Sequence, residues 1–268
     1  VIPEIYAIIL NPKNMSINKM KNNFLVNLKI KFTKRTFIYF SLLIVIMVIL
    51  YACDKNVTGT NNPAIPYGSM TDQDGNIYKT VIIGNQTWMA ENLRTTKYND
   101  GTVIPIVSSA KTEAGLTTPG LCTYNNTTDV DSIYTFGRLY NWYAVNTGKV
   151  APVGWHVPSD SEFQELINNL GGMDEAGGKL KEAGIIHWDS PNSGATNSTG
   201  FTALPGGYRN GAGDFANIGK EGMWWSSTIG APYGTYASYF QLSFNSTLAG
   251  RDNHLVNEFC FTIRCLKD

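Results

Sequence analysis

Four cysteines, three histidines and one Trp-Trp pair are the residues of this chain whose types suit chemistry at a site. His156, His187 and His254 stand apart, and none pairs with another at metal-ligand spacing. His156 and His187 each adjoin a tryptophan, Trp155 and Trp188, which fits packed or loop-capping imidazoles better than ligands or bases. The G-x-S-x-G, H-E-x-x-H, P-loop and paired-cysteine zinc patterns are all missing, so no catalytic residue is assigned and a non-enzyme is expected. Scattered carboxylates leave an undetected hydrolase as the remoter alternative, since sequence cannot set two of them across a sugar. Trp224 and Trp225 are consecutive, so on a strand they must point to opposite faces. One ring is then expected in the core and the other against a loop or solvent, where it could stack on a sugar. These two tryptophans are the candidate ligand-binding residues.

Cys260 and Cys265 are five residues apart, which on one strand places them on opposite faces and about 16 Å apart. They cannot bridge each other without a break in that strand. A disulfide from Cys122 to one of them is expected, taken here as Cys122 with Cys265, leaving the fate of Cys260 open. Asp72 and Asp74 suggest calcium, but an EF-hand loop needs glycine at its sixth position and Gly75 falls at the fourth. The pair reads better as a hairpin turn. Calcium through other loop carboxylates is left without a site, and no cofactor or metal is assigned.

The elements that position these residues point to an α+β fold. Asp74-Gly75 suits a tight turn between two extended runs, the second being the β-branched Ile77 to Ile83. Gly84-Asn85 turns into Thr87-Trp88-Met89. Gly137 to Val145 carries Leu139, Trp142 and Tyr143 at helical spacing. Ser159-Asp160-Ser161-Glu162 is a capping box, followed by Phe163, Leu166, Ile167 and Leu170 on one apolar face and closed by Gly171-Gly172. A short helix is expected over Asp174 to Glu182. Ser190 to Asn217 is rich in Gly, Asn, Ser and Thr and reads as long ordered loops with short strands. Met223 to Thr228, Ala237 to Phe244 and Phe259 to Leu266 read as strands.

The N-terminal part differs sharply from the rest. Lys19, Lys21, Lys29, Lys31, Lys34 and Arg35 form a basic run without an acid, and Thr36 to Ala52 is almost wholly apolar. A basic region, an apolar region and a small residue before a cleavage point make a secretion signal. The stretch is short for a spanning helix, which needs roughly 20 apolar residues. Leu50-Tyr51-Ala52-Cys53 resembles the lipobox of bacterial lipoproteins, which implies cleavage after Ala52 and lipidation of Cys53. Several acyl chains would hold the protein stably on a membrane. Residues 1–52 are thus the expected signal peptide, with residues 1–19 preceding or spanning an internal start at Met15 or Met20. Residues 53–66 form a flexible tether, and residues 67–268 form the domain. Residues 1–52 hold seven of the 21 basic and one of the 21 acidic residues, so the remainder carries 14 basic and 20 acidic, a net charge near −6. An acidic domain without a basic patch argues against a nucleic-acid partner.

Eight blocks, in order, resemble one family: GNQTWMAENL (84–93), KYNDGT (97–102), LYNWYAV (139–145), GWHVPSDSEF (154–163), GGKLKE (177–182), GFTALPGGYRN (200–210), WWSST (224–228) and FTIRCLKD (261–268). They are similar to the Fibrobacter succinogenes major paralogous domain, or FISUMP, family of bacterial surface and secreted lipoproteins. More distantly, Val157 to Phe163 and Phe261 to Leu266 resemble segments of the formylglycine-generating, sulfatase-modifying enzymes. That similarity implies a C-type-lectin-like fold, with a twisted antiparallel sheet, two or three helices and long ordered loops. The paired catalytic cysteines of those enzymes have no counterpart here, so their activity is not carried over. Asp131-Ser132-Ile133 also fits a short bacterial O-glycosylation pattern, which arises easily by chance.

The expected protein is therefore a membrane-anchored lipoprotein of the cell envelope, at the outer membrane or cell surface. Its domain is expected to be a non-catalytic binding module for carbohydrate or another surface polymer. The alternative is a structural or adhesion lipoprotein that contacts a surface protein.

Overall fold

The computed structural model describes residues 65–107, 118–230, 236–256 and 259–268. Cys53, the expected signal peptide (residues 1–52) and most of the expected tether lie outside the described residues. Ala64–Asp268 forms one compact unit, and it is an α+β fold built on antiparallel strands. Among the described residues no helix is long and apolar enough to cross a membrane.

Among the described residues the strands form three sheets. The first has strand order β1 (Gly68–Thr71), β2 (Ile77–Ile83), β3 (Gln86–Met89), β13 (Leu266–Lys267), β6 (Trp155–His156). The second runs β4 (Leu121–Cys122), β5 (Leu139–Asn141), β12 (Cys260–Phe261), β7 (Gly206–Arg209), β8 (Phe215–Ile218). The third places β10 (Tyr236–Ser243) between β9 (Glu221–Gly230) and β11 (Ala249–Val256). The helices described are α1 (Val130–Phe136), α2 (Trp142–Asn146), α3 (Asp160–Asn169) and α4 (Met173–Leu180).

Local sequence explains the best-defined elements. The β1–β2 hairpin turns at Gly75, φ +82°. Asp72 organises it by accepting from the backbone N–H groups of Asp74 and Asn76, both at 2.9 Å, and from the Tyr78 hydroxyl at 2.5 Å. The turn reading therefore holds, with the Asp72 carboxylate filled by protein donors. Helix α3 starts with its capping box intact: Ser159 Oγ accepts from Glu162 N at 3.3 Å and Glu162 Oε2 accepts from Ser159 N at 2.7 Å. Its Phe163, Leu166 and Ile167 are buried, and Gly172 N donates to Ile167 O at 3.0 Å beyond the helix end.

Helix α4 carries Gly177-Gly178 in its interior, where glycine costs about 1 kcal/mol of helix propensity relative to alanine. The packing explains them. A Cβ on Gly177 would lie 2.5 Å from Thr247 O, and one on Gly178 would lie 2.4 Å from Gly194 O. Just past the helix, the fully buried Lys181 links the start of the expected loop region to the β10–β11 connection, donating to the carbonyls of Ser193 (3.0 Å), Ser243 (2.9 Å) and Ser246 (2.7 Å). Burial lowers its pKa to about 8, while the three carbonyl oxygens solvate the ammonium form.

Two expectations about elements are corrected. Gly137 to Val145 is not one helix, because Leu139–Asn141 pairs with β4 and β12 as a strand. Helix α2 begins only after Asn141, whose side chain caps it by accepting from Ala144 N at 3.0 Å. Phe259 to Leu266 is not one strand either. It divides into β12 and β13, with Thr262 bridged to Trp224 between them.

The core consists of two large aromatic clusters. One gathers Tyr78, Tyr140, Trp142, Trp225, Tyr239 and Phe261, and the other Trp88, Phe163, Trp188, Phe201, Trp224 and Phe240. Strand β9 contributes to both. Trp224 and Trp225 do face opposite ways, but both are 0 % exposed, so the expectation of a solvent-facing tryptophan is corrected. Trp225 packs 4.5 Å from Phe261, and Trp224 lies 5.8 Å from Phe240. Sequence alternation could not reveal this, because a strand covered on both sides has no solvent face.

Candidate ligand-binding site

Both Trp224 and Trp225 donate their indole N–H inward. Trp224 Nε1 reaches Asn92 Oδ1 at 2.9 Å and Trp225 Nε1 reaches Tyr140 O at 2.7 Å. Neither ring is presented to a ligand. The cysteines are also placed differently from expectation. Cys122, Cys260 and Cys265 are buried and unbridged. Cys265 sits in the Trp225 cluster with its backbone N–H directed at Met89 Sδ, whereas Cys122 and Cys260 share a separate small cluster with Leu139. The expected Cys122–Cys265 pairing is therefore not the juxtaposition the fold creates.

The histidines hold the structure locally. His156 bridges two carboxylates, with Nδ1 2.7 Å from Asp268 and Nε2 2.9 Å from Glu162. Burial opposes its charge, but these two neighbours outweigh that and raise its pKa. His187 Nδ1 lies 2.9 Å from Glu182, and its ring stands edge-on to Phe136. The His254 side chain lies outside the described residues. Among the described residues no group of three or more His, Cys, Asp or Glu could hold a metal ion.

The groups that converge at the surface lie around α1. This seven-residue helix buries none of its residues. It forms because Asp129 caps it, accepting from Ser132 N at 2.9 Å, and it stops at Gly137, φ +77°. Val130, Ile133 and Tyr134 fall at i, i+3 and i+4, but in a seven-residue helix that buries none of its residues this pattern is too short to be read as a helix from sequence. Ser132, of the O-glycosylation-like triplet, directs its hydroxyl to Asp129.

On one side of α1 is a depression of about 380 Å³, lined by Asp74, Asn76, Arg94, Thr96, Val130, Ile133, Tyr134 and Arg138. Tyr134 is 60 % exposed. Its ring is supported from beneath by the Arg94 guanidinium, 4.6 Å from the ring centroid, and Arg94 in turn stacks at 4.1 Å on Tyr78. Arg94 is itself buried and fixed, donating to Ile77 O at 2.6 Å and to Glu91 at 3.1 Å. Half-buried Arg138 is steered to the same rim by its Nε, which donates to Arg94 O at 3.0 Å. Asp74 accepts from both the backbone N–H and the hydroxyl of Thr96, and pairs with Lys97 at 3.3 Å. Burial works against its ionisation, yet Thr96 and Lys97 keep its pKa below the usual carboxylate value.

A second depression of about 310 Å³ lies across the helix, with Tyr124, Phe136 and Ile218 in its wall, and Ile133 lines both. A third, of about 360 Å³, is bordered by Tyr98, Pro105 and Lys149. The first combines an exposed aromatic face with a guanidinium, an ionised carboxylate and an amide. Such a set can stack on an apolar ring face while hydrogen-bonding hydroxyl or carboxylate groups around it. Sequence reasoning weighed Asp74 only for calcium and a turn and missed Arg94, Tyr134 and Arg138; the local signs were the Asp129–Ser132 cap and the short Val130, Ile133, Tyr134 spacing.

The sequence profile described as Fibrobacter succinogenes major domain (Fib_succ_major) matches residues 81–267. No curated protein and no solved structure matches the chain. The matched span runs from within β2 to the penultimate residue and takes in every helix described above. The chain belongs to the Fibrobacter succinogenes major domain family.

Proposed function

We propose that the domain is a non-catalytic carbohydrate-binding module, carried on a lipoprotein of the cell envelope and displayed at the outer membrane or cell surface. The observation that carries this reading is the exposed Tyr134 ring held on Arg94 beside Arg138, Asp74 and Asn76. A sugar would lay its apolar face on Tyr134, and its hydroxyls would meet Arg138, Asn76 and the Asp74 carboxylate. Asp74 and Arg94 are already engaged by protein donors and acceptors, so the groups are pre-set and little side-chain entropy is lost on binding.

The envelope part of the reading rests on the Lys19 to Arg35 basic run, the apolar Thr36 to Ala52 stretch and the placing of Cys53 directly after Ala52. Lipidation at Cys53 would supply the membrane contact. We read the antiparallel sheets, short helices and long ordered loops as a C-type-lectin-like arrangement, in which a loop-borne surface such as the α1 region serves recognition. The test is a screen of the protein against neutral and acidic polysaccharides, with and without calcium, using Tyr134→Ala as the paired variant. Saturable binding lost in the variant supports the proposal, and equal binding by both proteins refutes the site.

A second reading is favoured by a different observation. Ile185 and Ile186 are adjacent and are 63 % and 81 % exposed. An adhesion or structural role through protein contacts would use such a surface. Glycan binding takes precedence because the α1 depression joins an aromatic face to several polar groups.

A further inference from the structure

Three charged side chains, Asp74, Arg94 and Arg138, line the depression beside α1. Two of them are already matched. Arg94 pairs with Glu91 at 3.1 Å, and Asp74 pairs with Lys97 at 3.3 Å and accepts from the Thr96 N–H and hydroxyl. Arg138 differs. Among the described residues it makes no ion pair, and its guanidinium donates only from Nε, to Arg94 O at 3.0 Å. Nη1 and Nη2 therefore keep their protons for a ligand. We propose that this depression selects sugars bearing a carboxylate, the uronic acids of an acidic polysaccharide, with the carboxylate seated on Arg138 and the ring face on Tyr134. The inference rests on the carbohydrate reading above, and in it a carboxylate takes the Arg138 contact in place of a hydroxyl.

The guanidinium is fixed before a ligand arrives. The Arg138 backbone N–H donates to Leu93 O at 3.0 Å, its Nε donates to the next carbonyl along that segment, and Leu139 directly after it opens β5. Holding the side chain in this way lowers the ordering cost of binding. With Nε taken, the end-on edge formed by Nη1 and Nη2 is the part of the fork left to receive a planar two-oxygen group. A carboxylate fits that edge with two parallel, charge-assisted hydrogen bonds, whereas a neutral hydroxyl or ester oxygen forms a weaker contact. Asp74, the one carboxylate in the lining, has its charge compensated by Lys97 and the Thr96 donors, which leaves Arg138 as the uncompensated charge of the depression. Residues 53–268 carry 14 basic and 20 acidic residues, a net charge near −6. A general attraction for polyanions is therefore not expected, and selection lies in the short-range contact.

The test is calorimetric titration of the full chain in neutral detergent, with EDTA present so that divalent cations do not gel the polymers. The probes are polygalacturonate, alginate, the fully methyl-esterified form of each, neutral dextran and dextran sulfate. At least one uronate polymer should bind the parent at least about 10-fold more tightly than its own methyl ester, as a charge-assisted pair implies. Arg138→Gln should reduce that preference to within about 2-fold, and Arg138→Lys, which keeps the charge but not the fork, should fall between. Tyr134→Ala should weaken acid and ester alike. The acid-to-ester comparison in the parent stands even if Arg138→Gln lowers the Tm. Equal binding of acid and ester, an undiminished preference in Arg138→Gln, or binding of neutral dextran alone would overturn the inference, while loss of that same binding in Tyr134→Ala would leave the carbohydrate site standing. Dextran sulfate binding as tightly as the uronates would show attraction to charge alone and overturn it as well. No binding to any of the polymers would overturn the inference and the carbohydrate reading together.

Discussion

Asn92 and Arg264, 172 positions apart in the chain, meet in the interior through a 2.9 Å hydrogen bond from the guanidinium Nε to the amide oxygen. The same oxygen accepts from Trp224 Nε1 at 2.9 Å, and the Asn92 amide nitrogen donates to Phe136 O at 2.9 Å. Arg264 completes its fork on the carbonyls of Phe201 and Thr202 and lies 4.3 Å from the centre of the Phe201 ring. Burial lowers its pKa to about 9, still well above neutrality, so the guanidinium is charged at physiological pH. It is solvated by oxygens and ring faces. One side chain, Asn92, thereby joins the loop after β3, the end of α1, β9 and the C-terminal segment.

Replacing Asn92 with Leu should leave the Arg264 Nε and Trp224 N–H donors buried without an acceptor. The expected cost is about 2–4 kcal/mol, since stranding buried donors carries their desolvation penalty. Urea unfolding of the parent and Asn92→Leu proteins measures it. An unchanged midpoint would show that water or another acceptor replaces the amide.

The clamp on His156 makes stability depend on pH. Asp268 and Glu162 overcome burial and raise the folded-state pKa above the unfolded value. Its stabilisation is therefore fully present below the unfolded pKa, near 6.5, and is lost as pH rises through the higher folded value. The ring is 38 % exposed, so screening limits the effect to about 1 kcal/mol or less. His156→Gln should be destabilised relative to the parent at pH 5.5 and nearly equal to it at pH 8.5. A larger deficit at the alkaline end would mean that the neutral ring is the stabilising form.

Gly177→Ala sets helix propensity against packing. Propensity alone predicts a gain of about 1 kcal/mol. The added methyl, however, would sit 2.5 Å from Thr247 O and 2.6 Å from Leu248 O, both backbone atoms. Overpacking of this kind costs about 1–3 kcal/mol, so a lower Tm is expected. A raised Tm in a thermal melt would show that the β10–β11 connection yields freely.

Elements with a strong local signal were legible in the sequence. The bounds of β2, the capping box of α3 and the hairpin at Gly75 follow from β-branching, cap chemistry and turn chemistry. Lys181 reaches into the expected loops from Ser190 to Asn217 at Ser193 O, but a lone lysine carries no periodic signal that it is buried. Arg264 and Asn92 are hidden for the same reason, since their partners lie far along the chain. Trp224 and Trp225 misled because alternation reports which faces exist and not whether both are covered. The α1 site was not legible because the i, i+3, i+4 run of Val130, Ile133 and Tyr134 spans barely one turn and buries no residue, and Tyr134 looks like any other tyrosine until Arg94 is found beneath it.

The central claim is tested most directly by affinity electrophoresis of the parent protein and Tyr134→Ala in gels containing neutral or uronate-bearing polysaccharides. Tyr134 is 60 % exposed, so the variant should keep the parent's circular dichroism and melting temperature. The account predicts that at least one polysaccharide retards the parent, and that the variant binds it at least about 10-fold more weakly, as loss of an aromatic stacking face implies. Retardation identical in the two proteins, or none across the whole panel, would contradict carbohydrate recognition at the α1 depression.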